Sequence, residues 1–197
     1  MHGIAAQIII ERAESGVGAT FVCAHGAGGH MEDRGMVQIA QAMRGAGFDV
    51  VRFNFPYRER GAKLPDPMPV LKERIAGVVN DLGATQRLII GGRSMGGRAA
   101  SMLAADGFAC DGLLLLAYPL HPARQPDKLR AAHLPAIRVP VLCFNGTRDE
   151  LCRRDLMENA ISGLANWRMH WLEGAGHSFR PRDVREVAEI SREWWSR

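Results

Sequence analysis

Three residue types able to form a nucleophilic relay stand in glycine-rich surroundings far apart in the chain. They are Ser94 in Gly92-Arg93-Ser94-Met95-Gly96, Asp149 in Asn145-Gly146-Thr147-Arg148-Asp149, and His177 in Gly174-Ala175-Gly176-His177. A serine hydroxyl is a weak nucleophile. It needs a base to take its proton, and the base needs a carboxylate to hold its tautomer. The pattern G-x-S-x-G is only moderately specific, since composition alone would produce it roughly 0.1 times in such a chain. Its context is more informative: the apolar run at 87–91 leads into it and a helical pattern at 95–105 leaves it. That is the strand-turn-helix setting in which a serine sits on a strained turn with its hydroxyl projecting above a sheet. A phosphate-binding glycine loop or a plain tight turn is the competing reading of the same residues.

Glycine-flanked positions late in the chain suit the other two members. His177 follows the last apolar run and precedes the last helical pattern, and Asp149 follows the run at 141–144. Glu150, the next residue, is the alternative carboxylate, because the register of the loop is not set by sequence. A fourth element is Cys23-Ala24-His25-Gly26-Ala27-Gly28-Gly29-His30, where an apolar run ends in glycines. Backbone N–H groups of Ala27 and of Met95, the latter at a helix N-terminus, are placed to stabilise a developing oxyanion. His25 reads either as a brace for this loop or as a substrate contact. His2, His30, His133 and His170 read as surface or structural residues.

The elements that must position these groups alternate along the chain. Residues 7–11, 20–24, 50–55, 87–91, 113–117, 141–144 and 167–172 read as strands, and 36–44, 70–82, 95–105, 153–164 and 181–194 carry apolar residues at helical spacing. Strands apolar on both faces, joined by helices, imply an α/β class protein with a mainly parallel, doubly wound sheet of about seven strands. Function in that architecture sits on loops at strand C-terminal ends. The 197 residues are read as one domain, 1–197.

Composition narrows the function classes. With 47% hydrophobic and 23% charged residues the chain reads as an ordinary globular protein. Apolar stretches fall short of a membrane span and no signal pattern opens the chain, so a cytoplasmic location with no membrane partner is expected. Cys23, Cys110, Cys143 and Cys152 lack C-x-x-C spacing, so neither a disulfide framework nor a metal site is expected. No cofactor is called for. The net charge of +4 comes without a basic run, so no nucleic-acid partner is expected. Nearly all the positive charge is arginine, whose fork suits carboxylate or phosphate. Arg93 beside the serine, Arg98 one turn on, and Arg58 and Arg60 after the run at 50–55 read either as solvated side chains or as contacts for an acidic substrate.

Taken together, these motifs resemble the α/β-hydrolase superfamily almost end to end. More narrowly, Arg52-Phe53-Asn54-Phe55-Pro56-Tyr57, Gly91 to Arg98 and Tyr118-Pro119-Leu120-His121-Pro122 resemble a small dienelactone-hydrolase-like group related to a testis-expressed vertebrate protein and a subunit of the NSL chromatin complex. The resemblance implies a compact α/β-hydrolase fold without a cap domain, since residues 118–140 leave no room for one. It further implies a Ser94, Asp149, His177 triad, with Ala27 and Met95 as oxyanion donors. The expected function is a serine hydrolase acting on small ester, thioester or lactone substrates as a monomer or homodimer. An interaction protein with a vestigial site, and an acyltransferase or perhydrolase on the same triad, are the alternatives.

Overall fold

A computed structural model of the chain describes residues 7–83 and 85–196. Its elements, in order, are β1 (Ile8–Glu11), β2 (Thr20–Ala24), α1 (Arg34–Gly45), β3 (Asp49–Phe53), α2 (Pro56–Glu59), α3 (Met68–Leu82), β4 (Leu88–Arg93), α4 (Met95–Ala105), β5 (Gly112–Leu116), β6 (Val141–Gly146), α5 (Arg154–Ala160), β7 (Trp167–Leu172) and α6 (Pro181–Trp195). One turn of 3-10 helix, Leu134–Ala136, lies between β5 and β6. The strands form a seven-stranded sheet in the order β1-β3-β2-β4-β5-β6-β7, parallel except for β1.

Alternation along the central strands divides the core in two. Val22, Ile90, Leu115 and Cys143 face one side, where α3 and α4 cover them. Phe21, Ile89, Leu114 and Leu142 face the other, beneath α1 and α6. Both faces being dry explains why β2, β5 and β6 read as unbroken apolar runs rather than as alternating ones. α6 places Val184, Val187, Ala188 and Trp195 against the sheet. A Cβ at Gly112, the start of β5, would stand 1.9 Å from the Trp195 ring, so the absent side chain is what admits the indole.

Register brings the strand ends level at the functional edge: Ala24 pairs with Gly92, Arg93 with Leu116, and Leu116 with Phe144. The expected elements stand, with several ends shifted by about one or two residues, and three differences have an identifiable cause. The helix expected at 153–164 is only Arg154–Ala160, because the chain continues as turns into Gly163 at φ +79°. β3 stops at Phe53, and Pro56 starts the four-residue α2, too short to give a periodic signal. β4 runs on to Arg93, so the strand carries the turn's first two residues. Residues 118–140 hold turns and the single 3-10 turn, and no cap domain covers the sheet edge. No helix among the described residues is long and apolar enough to cross a membrane.

The loop at 118–140 is pinned to α4 by a polar network. Ser101 Oγ donates to Arg98 O (2.8 Å) and Tyr118 OH to Arg130 O (3.2 Å). Both hydroxyls also lie near His133 Nε2, at 2.8 and 3.3 Å. With each hydroxyl proton donated to a carbonyl, an Nε2–H completes the network by donating to the hydroxyl oxygens. Burial, aided by the Arg98 charge, depresses the His133 pKa from 6.5 to about 4. The unfolded chain therefore takes up a proton that the native state refuses, and stability present above pH 6.5 is lost as pH falls towards 4. His133→Gln should narrow the difference in urea midpoint between pH 7 and pH 5 relative to wild type. An unchanged difference would mean that His133 does not contribute to the acid sensitivity.

Candidate active site

The turn between β4 and α4 holds Ser94 at φ +51°, ψ −116°, a backbone region that costs a non-glycine residue of order 1–3 kcal/mol. What fixes it is the neighbouring end of β2. A Cβ at Gly92 would lie 2.1 Å from the carbonyl oxygen of Ala24, and one at Gly96 2.5 Å from the same atom. Only hydrogen at both positions lets the turn press against β2. The Ser94 N–H donates to Leu116 O at 2.8 Å, anchoring the turn to β5 on its other flank.

His177 comes from the loop after β7. Its Nε2 lies 2.9 Å from Ser94 Oγ, and its Nδ1 lies 2.9 and 3.0 Å from the two oxygens of Asp149. The loops carrying Asp149 and His177 are locked together: Arg148 N–H donates to Ala175 O, and a Cβ at Gly146 would stand 2.1 Å from that same oxygen. The Asp149 side chain is wholly buried, whereas His177 retains 24% exposure towards solvent. Leu151 N–H donates to Asp149 Oδ1 (2.9 Å) and Asn145 Nδ2 to Oδ2 (3.2 Å), so the buried carboxylate is fully served. An acceptor-only carboxylate facing Nδ1 puts the ring proton there and leaves the Nε2 lone pair for the serine hydroxyl. Glu150, the alternative acid, is exposed, and the hydrogen bonds of the His177 ring go to Asp149 and Ser94.

Asn145 is the member that motif reading passes over. Buried at the end of β6, it accepts Tyr118 N–H and donates to Tyr118 O, both at 3.1 Å, besides bonding Asp149. Its signal in the sequence is an amide closing an otherwise apolar strand, a position where a side chain needs buried polar partners.

The other expected site residues divide. Met95 opens α4, where its N–H is one of the helix's unsatisfied donors. Ala27 is exposed beside the bend closed by Gly29 N–H to Gly26 O at 3.1 Å. Arg93 reaches the base loop, donating to Ser178 Oγ (2.8 Å) and His177 O (3.3 Å). His25 does not line the site, which corrects the substrate-contact expectation. It is fully buried, with Nδ1 bonded to Gly26 O (2.8 Å) and Nε2 accepting Phe55 N–H (3.2 Å). That pattern requires neutral imidazole, and burial lowers its pKa accordingly. Arg58 turns back onto Ala62 O (3.4 Å) in its own loop and does not join Arg93.

The four cysteines are free thiols. Cys23 and Cys143 are buried, and burial pushes Cys23 up to about 12 and Cys143 well above the ordinary thiol value. Among the described residues no group of three His, Cys, Asp or Glu side chains could hold a metal ion.

Comparison with known proteins agrees with this architecture. The chain resembles a lid-less α/β serine hydrolase from Xanthomonas campestris at 21% identity and TM-score 0.77, covering 95% of this chain and 88% of that one. It resembles dienelactone hydrolase from Anabaena variabilis at 20% identity and TM-score 0.75, covering 98% and 92%. Est1E from Butyrivibrio proteoclasticus superposes with TM-score 0.79 at 16% identity, covering 100% and 97%. At these identities the likeness establishes the fold. The family described as alpha/beta hydrolase domain matches residues 17–193, and the chain belongs to that family.

Proposed function

We propose that this protein is a serine hydrolase that cleaves small carboxylic esters, thioesters or lactones through an acyl-enzyme on Ser94. The observation that carries the reading is the continuous hydrogen-bonded line from buried Asp149 through His177 to Ser94 Oγ. As Oγ attacks the carbonyl carbon, its proton passes to His177 Nε2, and Asp149 stabilises the imidazolium through Nδ1–H. The oxyanion is received by the N–H groups of Ala27 and Met95, the latter reinforced by the positive end of α4. Collapse of the tetrahedral species breaks the bond to the leaving oxygen or sulfur, which takes the proton from Nε2. Water then repeats the sequence, giving its proton to His177 and its oxygen to the acyl carbon, and Ser94 is regenerated.

Wild-type protein should be labelled by a fluorophosphonate and hydrolyse 4-nitrophenyl acetate, and Ser94→Ala should lose both. Equal labelling of the two proteins, or of neither, would refute the reading. Asp149→Asn should lower kcat by about 10³–10⁴-fold, because a neutral amide no longer selects the productive tautomer. Glu150→Gln, at an exposed position, should change kcat less than about threefold. The reverse ranking in steady-state kinetics would move the acid by one residue.

With turns alone spanning 118–140, acyl methylenes beyond the first few stay in water. A fully buried CH₂ is worth about 0.8 kcal/mol, or about fourfold in kcat/KM. That increment should stop by about hexanoyl in a 4-nitrophenyl ester series. A rise continuing to palmitoyl would reveal an apolar channel.

A further inference from the structure

An open groove of about 430 Å³ is lined by the chain neighbours of two relay residues, Arg93 before Ser94 and Ser178 after His177, but by none of the relay residues themselves. Arg34, Gly35 and Gln38 of α1 form one wall, and Ser178, Phe179, Arg180 and Pro181 form the other. Arg93 also lines it, directly before Ser94 in sequence and hydrogen-bonded to the carbonyl of His177. The charge lining it is one-sided. Arg180 is held by Asp183, with Nε to Oδ2 at 2.9 Å, whereas among the described residues neither Arg34 nor Arg93 forms an ion pair. Arg93 spends one terminal nitrogen on the His177 loop, and its other N–H groups remain for a ligand.

The groove's position assigns its occupant. In the first half-reaction the leaving atom must take its proton from His177 Nε2, so the departing group lies along the loop that continues as Ser178, Phe179 and Arg180. Resting on the serine hydrolase reading above, we infer that the groove is a leaving-group subsite for an anion: the substrate is an ester or thioester whose alcohol or thiol portion carries a carboxylate or phosphate, bound by Arg34 and Arg93. A fork-shaped donor suits either oxyanion, and a groove open to water needs charge rather than apolar area to hold a polar leaving group.

Matched acetyl esters test this. 4-Acetoxybenzoate and its neutral methyl ester compare a carboxylate, while 2-acetoxyethyl phosphate and 2-acetoxyethanol compare a phosphate. The pair 4-nitrophenyl hemisuccinate and 4-nitrophenyl butyrate puts the charge on the acyl side instead. Wild type should favour at least one leaving-group anion over its neutral partner by about tenfold in kcat/KM at low ionic strength, and the larger ratio names the anion. Arg34→Gln should cut that ratio several-fold. Arg44→Gln, at the far end of α1, should leave it as in wild type. Wild-type ratios near one, with neutral esters still hydrolysed and Ser94 still labelled, would overturn the subsite and spare the hydrolase reading. A preference confined to the hemisuccinate, or one that survives Arg34→Gln, would also overturn it. If the fluorophosphonate fails to label Ser94 and no ester is cleaved, the hydrolase reading falls and takes the subsite with it.

Discussion

The close approach of the β4–α4 turn to the end of β2 is the constraint on which the site depends. At this edge the turn packs so tightly that Cβ atoms at Gly92 and Gly96 would lie 2.1 and 2.5 Å from the Ala24 carbonyl oxygen, well inside any contact distance. Strain at Ser94 persists because that packing, together with its N–H bond to Leu116, leaves it no other place. One close contact then sets several things together. The serine hydroxyl meets His177 Nε2, α4 starts at the next residue, and the bend that follows β2 packs at Gly26 against the Ser94 side chain. His25 completes the arrangement from below by tying that bend to Phe55 N–H after β3.

The second half of the site is an electrostatic problem solved inside the sheet. A carboxylate as buried as Asp149 is costly unless its lone pairs are used, and the solution reaches across two strands. Beyond β5 the chain leaves strand geometry at Ala117, φ +51°, and Tyr118 loses its chance of ladder partners. The Asn145 side chain supplies them, offering Tyr118 one acceptor and one donor as a neighbouring strand would, and its amide also serves Asp149. Anchoring of β5 and orientation of the acid are therefore one interaction. A further histidine, His121, works like His25: Nδ1 bonds its neighbour's carbonyl and Nε2 accepts Arg153 N–H, bracing the loop after β5 against the segment after Asp149.

Much of this is legible from residue order because the information is local. Strands dry on both faces announce themselves as apolar runs, and the glycines at 92 and 96 report a close approach whose partner need not be known. Asp149 and Glu150 are adjacent carboxylates that motif position alone ranks. The structure separates them by burial, which depends on how the loop after β6 meets the loop after β7. What escapes sequence is side-chain direction at strand ends. Arg58 and Arg93 look equivalent as arginines following strands, yet α2, too short to give a pattern, folds Arg58 back on Ala62, while extension of β4 carries Arg93 to the base loop. Arg34 and Arg180 come from distant helix starts and meet only because α1 and α6 cover the same face of the sheet.

An uncovered site changes which forces can select a ligand. A cap excludes water, which raises both the apolar area buried and the strength of every charge interaction inside. Here His177 remains partly exposed and the 118–140 segment is held against α4 through His133 and Ser101, so on the proposed function apolar discrimination would be restricted to the few atoms nearest Ser94. Charge at the rim is screened, but it acts over the distance of a Debye length and needs no enclosure. The arrangement of a satisfied, buried acid beneath an open nucleophile follows from this division. In the proposed reaction a dry Asp149 is worth more to the relay because the dielectric around it is low, and recognition would fall to groups that work at the water boundary.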